Sequence, residues 1–322
     1  MTEGTPIPLI IYGGSDGRAG RLPPEAQGFH ALAGYKAARI QIAGRPLVLR
    51  VIERMQASGY FDPIYLAGPE KIYRAVGVAT PIIETDSSFG NNIRAGIAGV
   101  RRHYPEGPMA MMTCDVLPEP EELQRIMEEY RRCLPCDFFY PLVRIPEEPE
   151  GLGASGWKPR YRLRPEPGAE PAALLPGHLA IVVPEVHRLQ FLYKLIDAGY
   201  ATRNRSIAGR RWTMVRRTLG AIMAEEVAVA ARMQVPDLSY AAWKYGLGTA
   251  RKLAAGEATQ ADLETALAWL FFSPEHRKAA GVGRLRVPLV DAISLAQDID
   301  TEEEAAEKDA LPEMDFPGEE AV

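Results

Sequence analysis

The sequence predicts an α/β fold, a mixed, mainly parallel sheet flanked by helices, joined to an α-helical insert. Two observations carry this expectation. From residue 1 to about 145, short apolar runs alternate with segments of helical periodicity, and strand–helix–strand units at this spacing cross over right-handed and pair in parallel. From 188 to 280 only helical periodicity remains, as in VHRLQFLYKLIDAGY and ATQADLETALAWLFF. The predicted units are an α/β domain over 1–187 and 281–309, a helical insert over 188–280, and an acidic, proline-containing tail over 310–322 that is expected to be disordered.

Taken in order, PLIIY reads as the first strand and a helix follows from Pro46, where Leu47, Val48, Val51, Ile52 and Met55 fall on one face. DPIYLAG, TPIIET, PMAMMTCD and CDFFYPLVRI read as further strands, separated by helices near 70, over 91–102 and over 119–132. Residues 146–175 are rich in Pro, Gly, Glu and Arg and suit a loop or a strand pair around KPRYRLRP, and HLAIVVP returns as a strand. After the helical stretch, RVPLVDAI and QDIDTEEEAAE bring the chain back to the α/β pattern.

Composition removes several function classes. The 322 residues are 47% hydrophobic, enough for a large core, and no window of 18 apolar residues exists to span a bilayer. MTEGTPIPL lacks a basic region followed by an apolar run, so a cytoplasmic location is expected. A net charge of −5 argues against general nucleic-acid binding, which needs a dominant basic face. Cys133 and Cys136 form a C-x-x-C with no second pair or histidine cluster, and with Cys114 they read as free thiols. The ligand class left is a small molecule.

The first strand stops at Gly13 and Gly14, and the loop SDGRAGRL follows with Ser15, Gly17, Arg18 and Arg21 before Lys36. Backbone N–H groups exposed at a glycine turn hold phosphates, although glycines alone would also suit a plain turn. Neither G-x-x-x-x-G-K-[ST] nor a correctly phased G-x-G-x-x-G is present, so P-loop and dinucleotide readings are set aside. Asp115, in TCDVLPEPEEL, sits where a buried strand emerges, the end of a parallel sheet at which ligands bind. It suits a Mg²⁺ ligand or the cap of the following helix. Asp298 and Asp300 flank Ile299 and point the same way if extended, and Thr301 with Glu304 fits a capping box.

Gly13-Gly14, the basic Gly loop, Lys36 and Gly44-Arg45-Pro46-Leu47 together resemble the opening of the nucleotidyltransferases with a Rossmann-like, GT-A-like fold. That group contains molybdenum cofactor guanylyltransferase and the cytidylyltransferases. The resemblance covers about 1–186 and 284–308. It implies Arg18 or Arg21 as the loop arginine that joins Lys36 at a triphosphate, Asp115 as one metal ligand, and Asp300, or alternatively Asp298, as the second. It also places Ser87 and Asn91, in ETDSSFGNNIRAGI, against base and ribose, where capping is the bland alternative.

The implied activity is Mg²⁺-dependent transfer of NMP from an NTP to a small anionic or phosphorylated acceptor with release of pyrophosphate. His178 and the arginine-rich segment holding Arg210 and Arg211 are acceptor-side candidates, with a structural histidine and a solvated charged face as the plainer readings. The rival expectations are a GT-A-type glycosyltransferase using a nucleotide sugar and a non-catalytic binding protein, and a homodimer is left open.

Overall fold

Residues 7–12 are buried along their whole length because they form the central strand of a sheet covered on both faces, β1 (Ile7–Tyr12). The computed structural model describes residues 5–15, 30–146, 160–202 and 207–310, without the side chains of 201, 202 and 207–212. The acidic tail, apart from residue 310, lies outside the described residues, as do Gly17, Arg18 and Arg21.

After β1 the chain makes a single-turn helix, α1 (Lys36–Arg39), and a tight hairpin of β2 (Gln41–Ile42) and β3 (Arg45–Pro46). Then come α2 (Leu47–Ala57), β4 (Phe61–Gly68), α3 (Glu70–Ala75), β5 (Ile82–Glu84), α4 (Phe89–Arg101), β6 (Met109–Thr113) and α5 (Pro120–Arg132). Next are β7 (Phe138–Phe139), β8 (Leu142–Arg144), β9 (Tyr161–Leu163), β10 (Ala172–Pro176) and β11 (Leu179–Val182). The helical stretch holds α6 (Leu189–Thr202), α7 (Ile207–Ala231), α8 (Leu238–Ala241), α9 (Leu247–Ala255), α10 (Gln260–Phe271) and α11 (Pro274–Ala280). β12 (Leu285–Arg286), β13 (Leu289–Val290) and α12 (Glu302–Asp309) close the described chain.

Seven strands form a mixed, mostly parallel, Rossmann-like sheet in the order β12-β7-β11-β6-β1-β4-β5. β1 pairs in parallel with both β4 and β6, and β11 runs antiparallel between β6 and β7. Alternation along β1 sends Leu9 and Ile11 to one face, against Leu47, Val48, Val51 and Met55 of α2, and Ile10 and Tyr12 to the other, against Ile93 and Ile97 of α4. The five α2 positions marked by periodicity are the five buried there.

A second, four-stranded sheet in the order β13-β8-β10-β9 was not predicted: the sequence suggests a loop or a strand pair within 146–175, and CDFFYPLVRI, read as one strand, divides into β7 of the first sheet and β8 of the second. Its strands are two to five residues long, too short to carry a period of two. Beyond residue 188 the expected helices are present, and α6 seats its Asp197 on the start of α4. That carboxylate accepts from Ser88 Oγ (3.0 Å) and from the Gly90 N–H (2.7 Å). The start of α4 is therefore capped by a carboxylate from a distant helix; Ser88, its N-cap, makes no capping bond of its own.

Candidate active site

β1 and β6 end side by side, where the Cys114 N–H donates to the Tyr12 carbonyl (3.2 Å). Gly13 and Gly14 leave one strand, and Asp115 leaves the other. Helix α5 takes Glu119 as its N-cap, and the Glu119 N–H donates to Ser294 Oγ (2.9 Å), so Asp115 is not the helix cap. Its carbonyl instead accepts from the Ile299 N–H (2.9 Å), and Val116 bridges to Asp298 in antiparallel sense.

That pairing holds 298–300 extended, so Asp298 and Asp300 project together as their spacing predicts. Ligand oxygens of Asp115, Asp298 and Asp300 lie within 4.8 Å of one another. The segment is anchored behind by a capping box in which the Glu304 N–H donates to Thr301 Oγ1 (3.2 Å) and Glu304 Oε2 accepts from the Thr301 N–H (3.1 Å). Asp115 Oδ1 is buried and, among the described residues, has no hydrogen-bond partner.

Lys36 lies beside this cluster. It is buried, and its Nζ donates to Asp300 Oδ1 in a very short ion pair. The resemblance implied a lysine at the triphosphate, and one contact that Lys36 makes is with a carboxylate of the candidate metal set. The single turn that carries it follows Gly34, whose φ of +80° belongs to the left-handed region.

The two glycines at the end of β1 differ. The Gly13 N–H is already donated to the Ala67 carbonyl (2.9 Å), and a Cβ at Gly13 would meet the Tyr73 ring at 2.5 Å. Gly13 is therefore fixed by Tyr73 beneath it, and its N–H is engaged in the sheet. A Cβ at Gly14 would find only Asn92 Nδ2, at 3.9 Å, and among the described residues the Gly14 and Ser15 N–H groups make no hydrogen bond. Tyr73 faces the Cys114 thiol, and burial first, with Asp115 nearby, pushes both groups well above their ordinary pKa. Neither is a nucleophile at neutral pH.

Around the start of α4, Asn91 is exposed and its Nδ2 donates to Ser87 Oγ (3.3 Å). The buried neighbour Asn92, missed from the sequence, accepts from Thr85 Oγ1 (2.8 Å) and the Ser87 N–H (3.0 Å), and so shapes the 85–87 turn. The helical period offered the signal, since Ile93, Gly96, Ile97 and Val100 put 92 on the inner face. His178 is at the same end of the sheet, where its Nδ1 pairs with Thr113 Oγ1 (2.9 Å) and its N–H donates to the Leu295 carbonyl (2.8 Å). Arg210 and Arg211 fall on α7, with side chains outside the described residues.

No protein-family model matches the chain, and no curated protein matches it. Among solved structures it is similar to a hypothetical transferase from Thermus thermophilus, at 17% identity and a TM-score of 0.48 over 93% of this chain and 99% of that one. It is also similar to a CMP:2-keto-3-deoxy-manno-octonic acid synthetase complexed with CTP, at 12% identity and 0.40 over 67% and 86%. A third is 4-diphosphocytidyl-2C-methyl-D-erythritol synthase from Anaerococcus prevotii, at 9% and 0.42 over 96% and 98%. Identities and superpositions are low throughout, and what the site does rests on this chain's own residues. Among the described residues no helix is long and apolar enough to cross a membrane.

Proposed function

We propose that the chain is a nucleotidyltransferase that moves NMP from an NTP to a small phosphorylated acceptor and releases pyrophosphate. The observation that carries this reading is the convergence of Asp115, Asp298 and Asp300 at the sheet end that also presents Gly14, Ser15 and Lys36. Three carboxylates repel one another and would repel a triphosphate; Lys36 offsets one charge and leaves a balance that suits a divalent cation. An all-oxygen donor set fits Mg²⁺, and the buried, unpartnered Asp115 Oδ1 is an atom that such an ion satisfies. Held by Asp115 and Asp300, with Asp298 beside them, Mg²⁺ would supply positive charge against the phosphates.

The remaining work belongs to the chain. Gly14 and Ser15 donate their N–H groups to phosphate oxygens, with Arg18 or Arg21 and Gly17 of the same loop completing the cradle. Lys36, drawn between Asp300 and the phosphates, fixes both. Ser87 and Asn91 face base and ribose, Asn91 offering both a donor and an acceptor. His178, Arg210 and Arg211 take the acceptor side. One oxygen of the acceptor phosphate attacks the α-phosphorus in line while the bond to pyrophosphate breaks, so positioning and charge supply the rate without a protein nucleophile. In this reading residues 188–280 are an insert in the α/β domain, and the protein works in the cytoplasm.

The test is pyrophosphate release from CTP, GTP, ATP and UTP with Mg²⁺ across a panel of sugar and polyol phosphates. Release with one NTP and one acceptor class supports the reading. Turnover of a nucleotide sugar without pyrophosphate, or no NTP binding by calorimetry, overturns it.

A further inference from the structure

Helix α6 of the helical stretch runs antiparallel to α4 and reaches its first residue. The contacts fix the register: Gln190 Oε1 accepts from Arg94 Nη2 (3.0 Å), Asp197 accepts from the Gly90 N–H, and the Tyr200 ring lies 5.3 Å from that of Phe89, where α4 begins. Rising numbers on α6 thus meet falling numbers on α4. The helices approach closely because residue 90 is glycine, where a Cβ would strike the Tyr193 carbonyl. This end of α4 is also the ligand end of the sheet. Phe89 meets edge-on the ring of Tyr12, the residue before Gly13 (centroids 6.0 Å apart), and a Cβ on Gly14 would lie 3.9 Å from Asn92 Nδ2. A nucleotide whose phosphates lie on Gly14 and Ser15 therefore has its nucleoside within reach of the first turn of α4, and of Tyr200 beside it.

Charge decides which part of a nucleotide suits that place. A helix start ordinarily seats an anion, but Asp197 already fills this one with a carboxylate, and Asp86 stands exposed two residues before the N-cap. A phosphate is repelled there, and an uncharged base is not. Two tyrosines border the turn. Tyr35 has its hydroxyl committed to Asp86 Oδ2 (2.8 Å) and its ring set edge-to-face on Tyr73, whereas Tyr200 is 38% exposed. We propose that Tyr200 is the platform on which the base of the bound NTP stacks. The inference rests on the nucleotidyltransferase reading and gives the helical stretch a part in the nucleotide site. Asp197 then acts as a positioning residue that holds the platform against α4. Every base has a π face, so a stacking ring raises affinity for all four NTPs and leaves the choice among them to the polar groups of Ser87 and Asn91.

Calorimetry of the full chain with Mg²⁺ and two kinds of ligand, the four NTPs and inorganic tripolyphosphate, separates base binding from phosphate binding. Tyr200→Leu keeps an apolar side chain against Phe89 but removes the aromatic face. It should weaken the best-bound NTP about tenfold and leave tripolyphosphate affinity unchanged. Tyr200→Phe and Tyr200→Trp should both bind that NTP like the wild type, with far-UV spectra and thermal midpoints checking that each variant keeps its fold. Undiminished NTP affinity in Tyr200→Leu, an equal loss for NTP and tripolyphosphate, or no recovery in the two aromatic variants would overturn the platform while leaving the nucleotidyltransferase reading in place. A wild-type chain that binds no NTP removes that reading, and the platform with it.

Discussion

The Ile299 N–H donates to the carbonyl of Asp115, and this one backbone bond carries two carboxylates, Asp298 and Asp300, to a third. The bond ties the end of the chain to the exit of a central strand. Everything proposed for the site depends on that meeting.

Asp115→Asn is expected to reduce pyrophosphate release by about 10³-fold or more, because metal-ion charge stabilisation is worth several kcal/mol. Removing one of three crowded negative charges relieves repulsion, so thermal stability without metal should hold or rise. Full turnover in this variant, measured by coupled pyrophosphate detection, would remove Asp115 from the mechanism.

The two glycines separate by what lies next to them. Gly13→Ala drives a methyl group into the Tyr73 ring and should destabilise the fold by about 1–3 kcal/mol in chemical denaturation. Gly14→Ala meets no such obstacle, so its midpoint should stay close to the wild type while NTP affinity falls in calorimetry. Equal effects on folding at both positions would contradict the assignment of Gly14 to a ligand.

Lys36→Gln removes the cation that faces Asp300. The expected loss in kcat is about 10²-fold, the scale of one preorganised charged donor. Its midpoint for activation by Mg²⁺ should move to lower concentration, since the ion no longer competes with an ammonium for the same carboxylate. An unchanged metal titration would show that Lys36 and the cation do not share Asp300.

A separate prediction concerns acid. His187 is buried between Phe138 and Phe272, with Nδ1 against the Val183 carbonyl (2.7 Å), and burial above all lowers its pKa from 6.5 to about 4. Between those values the unfolded chain carries a proton on this group that the folded chain does not. Stability contributed by the neutral ring is therefore complete above about pH 6.5 and is lost as pH falls towards 4, by about 3 kcal/mol in all. Urea denaturation of His187→Phe at pH 7 and pH 4.5 should show a shallower decline than the wild type, and parallel declines would refute the linkage.

Legibility in the sequence followed element length and locality. The α2 face, the central β1, the helices beyond 188 and the Thr301–Glu304 capping box were readable because each is encoded by a few adjacent residues with one period or one local bond. The second sheet was not, since β8, β9 and β13 are two or three residues long and are strands only by virtue of their partners. At the site, Asp298 and Asp300 could be seen to share a side. That Asn92 rather than Asn91 is the buried amide could be read from the helical period, whereas that Asp197 would cap α4 needed the packing of α6.

By itself, the sequence determined that this is an α/β chain with a glycine turn after its first strand, a carboxylate at a buried strand end, and a second pair of carboxylates in D-I-D-T. Those features are local, and local sterics and hydrogen bonding settle them. Only the tertiary structure decided that the three carboxylates meet, that Lys36 lies against Asp300, and that Gly13 serves Tyr73 while Gly14 stays clear. Each of these joins residues from distant parts of the chain, held by sheet pairing and burial that no local pattern specifies.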